Sequence, residues 1–434
     1  LKIFRHGESD KTVQNLIPAA SRNGNLAITI VLTFTLALIL TCGCMENPSG
    51  NGEEPLAGAG SNSAGDISGL EKISDFEGGT LYKAEKLNVV VLNGNYHEMG
   101  RQYGHLLKPQ IESFYQTAVI KNTADGLKLP LDESRAIAEA NYEVYPARIK
   151  ALFEGMAETS GLSVDDLILL DQNVALSIMP YLKACSQIIV WDDYTGGGPL
   201  VFAKNEDFFE YFKEYDDTLS VIVYNPDDGS SSLASIGNAG QVSAMNAMNS
   251  AGIAFTMNQA PMLKAPDFTG EKMPLLISYT EFLLNAGNMK TLDSQFMSYR
   301  NPVSYIAGAA DETSAYFYEC SQDICRVRTT DSGVMAATNH YISPEWNITT
   351  EPGDEYVADS TTRYENLLSL AEEKKGNLNA DAVMEILDTK LTDGGATKSE
   401  TIFQFVAVPE EMKMWVKAPD YQDWVMVDVG KLFS

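Results

Sequence analysis

The stretch that most constrains this chain is Ala184-Cys-Ser-Gln-Ile-Ile-Val-Trp191, followed after a glycine-rich break by Pro199-Leu-Val-Phe-Ala-Lys-Asn-Glu-Asp-Phe-Phe209. Both runs are apolar, β-branched and aromatic, and Tyr194-Thr-Gly-Gly-Gly198 lies between them, so they read as a β-hairpin. A hairpin places the start of its first strand beside the end of its second. Cys185 is therefore expected next to Asn205 and Asp207. A thiol and a carboxylate meeting at one end of a sheet form a geometry that can do chemistry.

The remaining order of elements sets the fold class. A strand is expected over 87–92, followed by helical spacing from Tyr96 through Tyr115, then helical regions over 132–158 and 163–179. After the hairpin, strands are expected over 218–224, 231–236, 241–248 and 252–258, each bounded by turn residues. Helices follow over 274–288 and 290–299, then strands over 303–309, 314–320, 325–330 and 334–338. Helices over 359–375 and 380–391 precede the closing strands 401–408, 412–417 and 424–429. This pattern predicts an α+β protein with two sheets and helical layers against them. It contains no internal repeat and no glycine-rich phosphate loop.

The N-terminal part reads differently. Arg5-His6-Gly7-Glu8 looks like a histidine-phosphatase motif, but that chemistry needs an α/β domain behind it, and an apolar segment begins instead at Leu26. Leu26 to Thr41 is uncharged, follows Arg22 and runs into Cys42-Gly43-Cys44, which reads as an export signal with a lipoprotein-type cleavage site. Cys44 would then carry the lipid, and residues 1–44 would be the signal segment; an uncleaved membrane anchor is the alternative. Either way the expected location is outside the cytoplasm, on the outer face of the cell membrane. Residues 45–79 are rich in Gly, Ser, Asn, Pro and Glu, so a flexible tether is expected there, with folded structure beginning near Leu81.

A net charge of -28 argues against nucleic acid and anionic lipid headgroups as substrates. Of the five cysteines, Cys320 and Cys325 lie between two strand-like runs and suit a disulfide across a hairpin in an exported protein. Asn347-Ile-Thr349 matches a glycosylation acceptor. His97, Arg101 and His105 fall on one helical face, but no acidic or cysteine ligand sits at matching spacing, so they read as structural and no metal is expected.

A lone cysteine is ordinarily a small buried hydrophobe. What raises Cys185 above that is a series of polar residues at strand ends: Asn205 and Asp207, Asn246 and Asn249, Asn258, then Asn339 and His340. Asn is a poor strand former, and its amide suits an oxyanion hole or substrate anchoring. Two thiol mechanisms fit. In one, Cys185 pairs with His340 and Asp359 as in papain-like proteases, although that class starts a helix at its cysteine and Cys185 opens a β-run. In the other, the chain cuts itself between Ala184 and Cys185, and the freed α-amino group becomes the base for its own thiol, their ordinary pKa values of about 8 and about 8.5 being matched. A third possibility is a non-catalytic cell-surface binding lipoprotein.

Asn95-Tyr-His-Glu-Met-Gly-Arg-Gln-Tyr-Gly104, Ala184-Cys-Ser186, Asn205-Glu-Asp-Phe-Phe209, Met248-Asn-Ser-Ala-Gly252 leading to Asn258, Thr338-Asn-His340 and Asp359-Ser-Thr-Thr-Arg363 occur in one order. This series resembles the acyl-coenzyme A:6-aminopenicillanic acid acyltransferase family of N-terminal nucleophile (Ntn) hydrolases, over roughly Leu87 to the C-terminus. The resemblance implies a four-layer αββα sandwich, a helical pro-region or α chain over 80–184 and a catalytic β chain over 185–434, paired after self-cleavage. It implies Cys185 as nucleophile, Asp207 as partner of the active-site amine, Asn258 as oxyanion donor and Arg363 as a charge near the site; Asn205, Asn339 and His340, from their places at strand ends, are further candidates for substrate or oxyanion contact. Ala184 stands where the family's best-known member has Gly, and a small residue still permits a tight turn. The expected substrate is a small-molecule amide or acyl compound, with no cofactor.

Overall fold

The β-branched and aromatic runs of the chain form two sheets, seen in a computed structural model that describes residues 69–125, 129–172, 184–261, 273–299, 302–346 and 355–434. Among the described residues the first sheet has ten strands. In spatial order they are β1 (Glu71–Phe76), β2 (Gly79–Ala84), β3 (Leu87–Gly94), β6 (Leu219–Pro226), β7 (Leu233–Asn238), β8 (Asn246–Asn249), β9 (Ala254–Gln259), β10 (Tyr305–Ala310), β11 (Ala315–Cys320) and β12 (Cys325–Arg328). The second has six, in the order β13 (Val334–Ala337), β4 (Ser186–Val190), β5 (Val201–Asp207), β14 (Thr401–Val408), β15 (Lys413–Ala418) and β16 (Gln422–Asp428). Neighbours are antiparallel except β3 and β6, which run parallel.

Period-two alternation decides what each strand faces. Val89, Val221 and Ile306 of the first sheet meet Ile189, Phe202, Phe405 and Val427 of the second in a core between the sheets. The opposite face of the first sheet presents Val90, Ile222 and Phe255 to helices through Tyr103, Leu152 and Phe296. The opposite face of the second presents Ile188, Ala203 and Val406 to Leu367, Val383 and Ile386. The layers therefore run helix, sheet, sheet, helix, the α+β sandwich that the order of elements implied. Each large apolar side chain so enclosed contributes roughly 1.5–3 kcal/mol.

The helices over the first sheet are α1 (Tyr96–Leu106), α2 (Lys108–Phe114, continued as a π-helical stretch Tyr115–Lys121), α3 (Leu131–Tyr142), α4 (Ala147–Ser160), α5 (Val164–Asp171), α6 (Leu275–Asn285) and α7 (Met289–Ser298). Those over the second are α8 (Glu355–Glu373) and α9 (Ala380–Asp388). Asn95 starts α1 with a capping box, its side chain accepting from Glu98 N while the Glu98 carboxylate accepts from Asn95 N. Gly100 and Gly104 of α1 lie against α4 so closely that a Cβ on Gly100 would stand 2.1 Å from the Leu152 carbonyl oxygen.

Several expectations need correction. Ordered structure begins before Leu81, because β1 and β2 form a hairpin over residues read as tether. Its turn is Glu77-Gly78, both at positive φ, as a two-residue hairpin turn requires. The strand β1 is an exposed edge, so it lacks the apolar alternation that would have marked it. The helical region 132–158 is two helices, α4 being entered at Pro146. The strand expected over 241–248 shrinks to β8, because the amides of Val242 and Ser243 donate to Asp171 Oδ1 at 2.7 and 3.0 Å instead of to a ladder.

Cys320 and Cys325 are disulfide-bonded at paired positions of β11 and β12. Cys44, the apolar segment 26–41 and Asn347 lie outside the described residues, as does the stretch 173–183 ahead of Cys185. Among the described residues no helix is long and apolar enough to cross a membrane.

Candidate active site

The hairpin of β4 and β5 pairs Ser186 with Asn205 and Gln187 with Lys204, which brings Cys185 to the end of β5. The chain runs unbroken through Ala184 and Cys185, so this is the geometry of the uncut protein. Cys185 is buried, and its Sγ lies 3.5 Å from Glu206 Oε1 and 3.7 Å from the backbone oxygen of Asp207. Burial, reinforced by the Glu206 charge, pushes the thiol pKa well up, and Lys204 opposes this only in part. The thiol thus keeps its proton at neutral pH unless a base removes it.

Alternation along β5 sends its polar residues to two faces. Lys204 and Glu206 point with Phe202 toward the first sheet. Lys204 Nζ lies 2.7 Å from Glu206 Oε2 and donates to the Met257 carbonyl oxygen of β9. Asn246 of β8 donates its Nδ2 to Glu206 Oε2 at 3.1 Å, and the Asn246 Oδ1 accepts from Thr256. Lys204 and Glu206 are both buried. Neither was singled out among the candidates from sequence. The available signal was a pair of charges two residues apart on a strand that is otherwise apolar.

Asn205 and Asp207 take the other face. The Asn205 amide donates to Ser186 Oγ and accepts from Gln404 Nε2, and so links β4, β5 and β14. Asp207 Oδ1 accepts from Thr401, its neighbour on β14, while Oδ2 is buried with no hydrogen-bond partner. Burial raises the Asp207 pKa to about 7, against the opposing pull of Arg363, Thr401 and Lys398.

Arg363 of α8 is fully buried and ties the site to the helical layer. It donates to the Cys185 carbonyl oxygen at 2.6 Å, to Asn339 Oδ1 at 3.0 Å and to Asp359 Oδ2 at 2.9 Å. Asn339 also donates to the Gln259 carbonyl oxygen at 2.8 Å, so its amide supports Arg363 and the end of β9.

Asn258, expected to donate to an oxyanion, has its amide protons on the Ala337 and Thr338 carbonyl oxygens, at 3.2 and 2.9 Å. These two acceptors identify the nitrogen, so the atom left buried and unpartnered is Oδ1, an acceptor. In the uncut chain Asn258 is therefore not positioned to donate. His340 Nδ1 sits 2.8 Å from Ser360 Oγ and 3.2 Å from Thr338 Oγ1. Burial and the nearby Arg363 and Arg328 lower its pKa to about 4. This imidazole is engaged with Ser360 and Thr338 and is a poor proton acceptor, which removes the support for a Cys185–His340 dyad.

Elsewhere, His97 pairs with Glu158 at 3.0 Å and His105 stacks on Phe76, both on the helical face away from the thiol. Among the described residues no group of three or more His, Cys, Asp or Glu side chains is placed to hold a metal ion.

No family model matches this chain. A curated protein of Archaeoglobus fulgidus, described as uncharacterized, is 25% identical over 349 residues, covering 68% of this chain and 57% of that protein. The chain thus spans less than two thirds of the length of the curated relative it matches. Among solved structures, similarity is found to a Caenorhabditis elegans ortholog of N-acylethanolamine-hydrolyzing acid amidase, with a TM-score of 0.42 and 13% identity over 56% of this chain and 99% of that one. A mutant of the conjugated bile acid hydrolase from Clostridium perfringens gives a TM-score of 0.41 and 13% identity, over 57% of this chain and 93% of that one. Penicillin V acylase from Agrobacterium tumefaciens gives 0.40 and 13%, over 58% and 88%.

Proposed function

We propose that this chain is a thiol amidohydrolase that activates itself by cutting before Cys185 and then hydrolyses a small amide through an acyl-enzyme on that residue. The observation that carries the reading is Asp207 Oδ2, a carboxyl oxygen buried beside the thiol strand with no partner. Such an atom costs roughly 1–3 kcal/mol in a folded protein and calls for a donor. Cleavage of the Ala184–Cys185 bond would supply one, an ammonium at Cys185. That charge would favour the ionised form of Asp207, and its neutral form would take the thiol proton during catalysis.

In the mature form, the Cys185 sulfur adds to the amide carbonyl of the substrate and the amine leaves with a proton. Water then releases the acyl group. Glu206, Phe208, Phe212, Asn238, Gln241 and Phe403 line a small cleft beside the site.

The test is a denaturing gel with N-terminal sequencing of the purified protein. The expected result is a fragment running from Cys185 to Ser434 and beginning Cys-Ser-Gln-Ile-Ile. The Cys185→Ala variant should stay whole. His340→Ala should still cut, within about tenfold of the normal rate, because losing a true base costs about a hundredfold or more. Mature, active protein with the Ala184–Cys185 bond intact would refute the proposal.

A further inference from the structure

Self-cleavage poses a problem that the finished enzyme does not have. The α-amine that would serve as base in the mature enzyme is locked in the Ala184–Cys185 peptide bond until the cut is made, and an amide nitrogen accepts no proton at neutral pH. Some other group must take the thiol proton the first time.

We infer that Glu206 is that base, the residue that deprotonates Cys185 in the uncut chain and returns the proton to the departing nitrogen. This rests on the self-processing reading above and adds to it a catalytic residue of its first step. Glu206 Oε1 lies 3.5 Å from Sγ, within reach of a thiol hydrogen bond. Its other oxygen is fixed from two sides, by Lys204 at 2.7 Å and Asn246 at 3.1 Å. Both partners are themselves anchored, Lys204 to the Met257 carbonyl oxygen and Asn246 to Thr256. The carboxylate is thus held with one oxygen toward the sulfur and the other satisfied. The competing groups are not so placed. Asp207 reaches the sulfur with its backbone oxygen, while its carboxyl group takes the opposite face of β5, Oδ1 on Thr401 and Oδ2 without a hydrogen bond to the sulfur. His340 Nδ1 is engaged with Ser360 and Thr338.

The step balances within the chain. The proton passes from Sγ to Glu206 Oε1 as Sγ bonds to the carbonyl carbon of Ala184. The bond from that carbon to the Cys185 nitrogen then breaks, and the nitrogen leaves with the proton from Oε1. This gives a thioester and a free α-amine. Water adds to the thioester, releasing the Ala184 carboxylate and restoring the thiol.

The experiment follows the uncut fraction by intact mass in the full-length wild type, Cys185→Ala, Glu206→Gln and Glu206→Ala. Wild type should cut and Cys185→Ala should not. Glu206→Gln should cut on the order of 100-fold more slowly while still giving a cooperative melt, though below that of the Cys185→Ala precursor. Because Glu206→Gln leaves Lys204 as an unpaired buried charge, a second variant guards against misfolding. Lys204→Met/Glu206→Leu removes both charges at once, a change that folded proteins commonly tolerate, and it too should stay uncut. Formate should speed cleavage of Glu206→Ala and do nothing for Cys185→Ala, a rescue that a merely structural glutamate would not show. Folded Glu206→Gln, or the apolar double variant, cutting at the wild-type rate would overturn the role of Glu206 alone. A wild type that never cuts would instead overturn the self-processing reading, and this inference with it.

Discussion

At the scale of single residues, the site is governed by what burial does to charge. Asp207 holds its proton in the folded, uncut chain up to about pH 7, where the unfolded chain has already released it near 3.8. The unfolded state binds fewer protons in that window, so this group's contribution to stability is complete below about pH 4 and is lost as pH rises to about 7. The loss is on the order of 4 kcal/mol. His340 has the opposite sign, because its lowered pKa gives stability above about 6.5 that is lost as pH falls toward 4. To isolate Asp207, the Cys185→Ala precursor is compared with the same protein carrying Asp207→Asn. Melting curves should show the precursor losing ground to the Asn variant between pH 4 and 7 and no further change above; parallel curves would mean that Asp207 is ionised throughout.

Cys185 and Asp207 were legible in the sequence because a hairpin is a local device, and turn residues between two apolar runs fix which ends meet. Lys204 and Glu206 were not, because a charge on a strand ordinarily marks the solvent side. Only the ten-stranded sheet, built largely from residues far along the chain, shows that this side is buried and supplies Asn246 and the Met257 carbonyl. Asn258, Asn339 and His340 stand out in the sequence as polar residues at strand ends. Their hydrogen bonds hold strand ends and Arg363 in place, which residue type alone does not reveal.

At the scale of elements, α1 and α4 cross in a close seam within the helical layer over the first sheet. A Cβ on Gly155 would stand 2.1 Å from the His97 carbonyl oxygen, and one on Gly104 would stand 2.5 Å from that of Met156. Both obstacles are backbone, which cannot swing aside. Alanine would gain roughly 1 kcal/mol in helix propensity. Prying two packed helices apart costs about 1–3 kcal/mol or more. Gly155→Ala should therefore lower the urea midpoint without changing the slope of the transition; an unchanged or higher midpoint would show that the helices separate freely. Helix positions were readable from periodicity, but this seam was not, since glycine within a helix reads first as a weakness.

At the scale of the molecule, the segment before Cys185 is not an appendage. Its strand β3 pairs in parallel with β6 from beyond Cys185, along residues 88–94 and 220–226. Its helices share one core with α6 and α7. If the chain cuts itself, both pieces should elute together on size exclusion at the mass of the intact chain and separate only in denaturant. A smaller species in native buffer would mean that the shared sheet does not survive the cut.

That parallel strand pair has a consequence for the life history of the protein. Before the cut, folding is a first-order event within one molecule; after it, re-forming the sheet requires two separate chains to find each other, and recovery depends on dilution. A cut molecule that melts at low concentration should stay lost, whereas the uncut Cys185→Ala chain should refold equally well at any concentration. Activation of this kind would exchange the ability to refold alone for the ability to react.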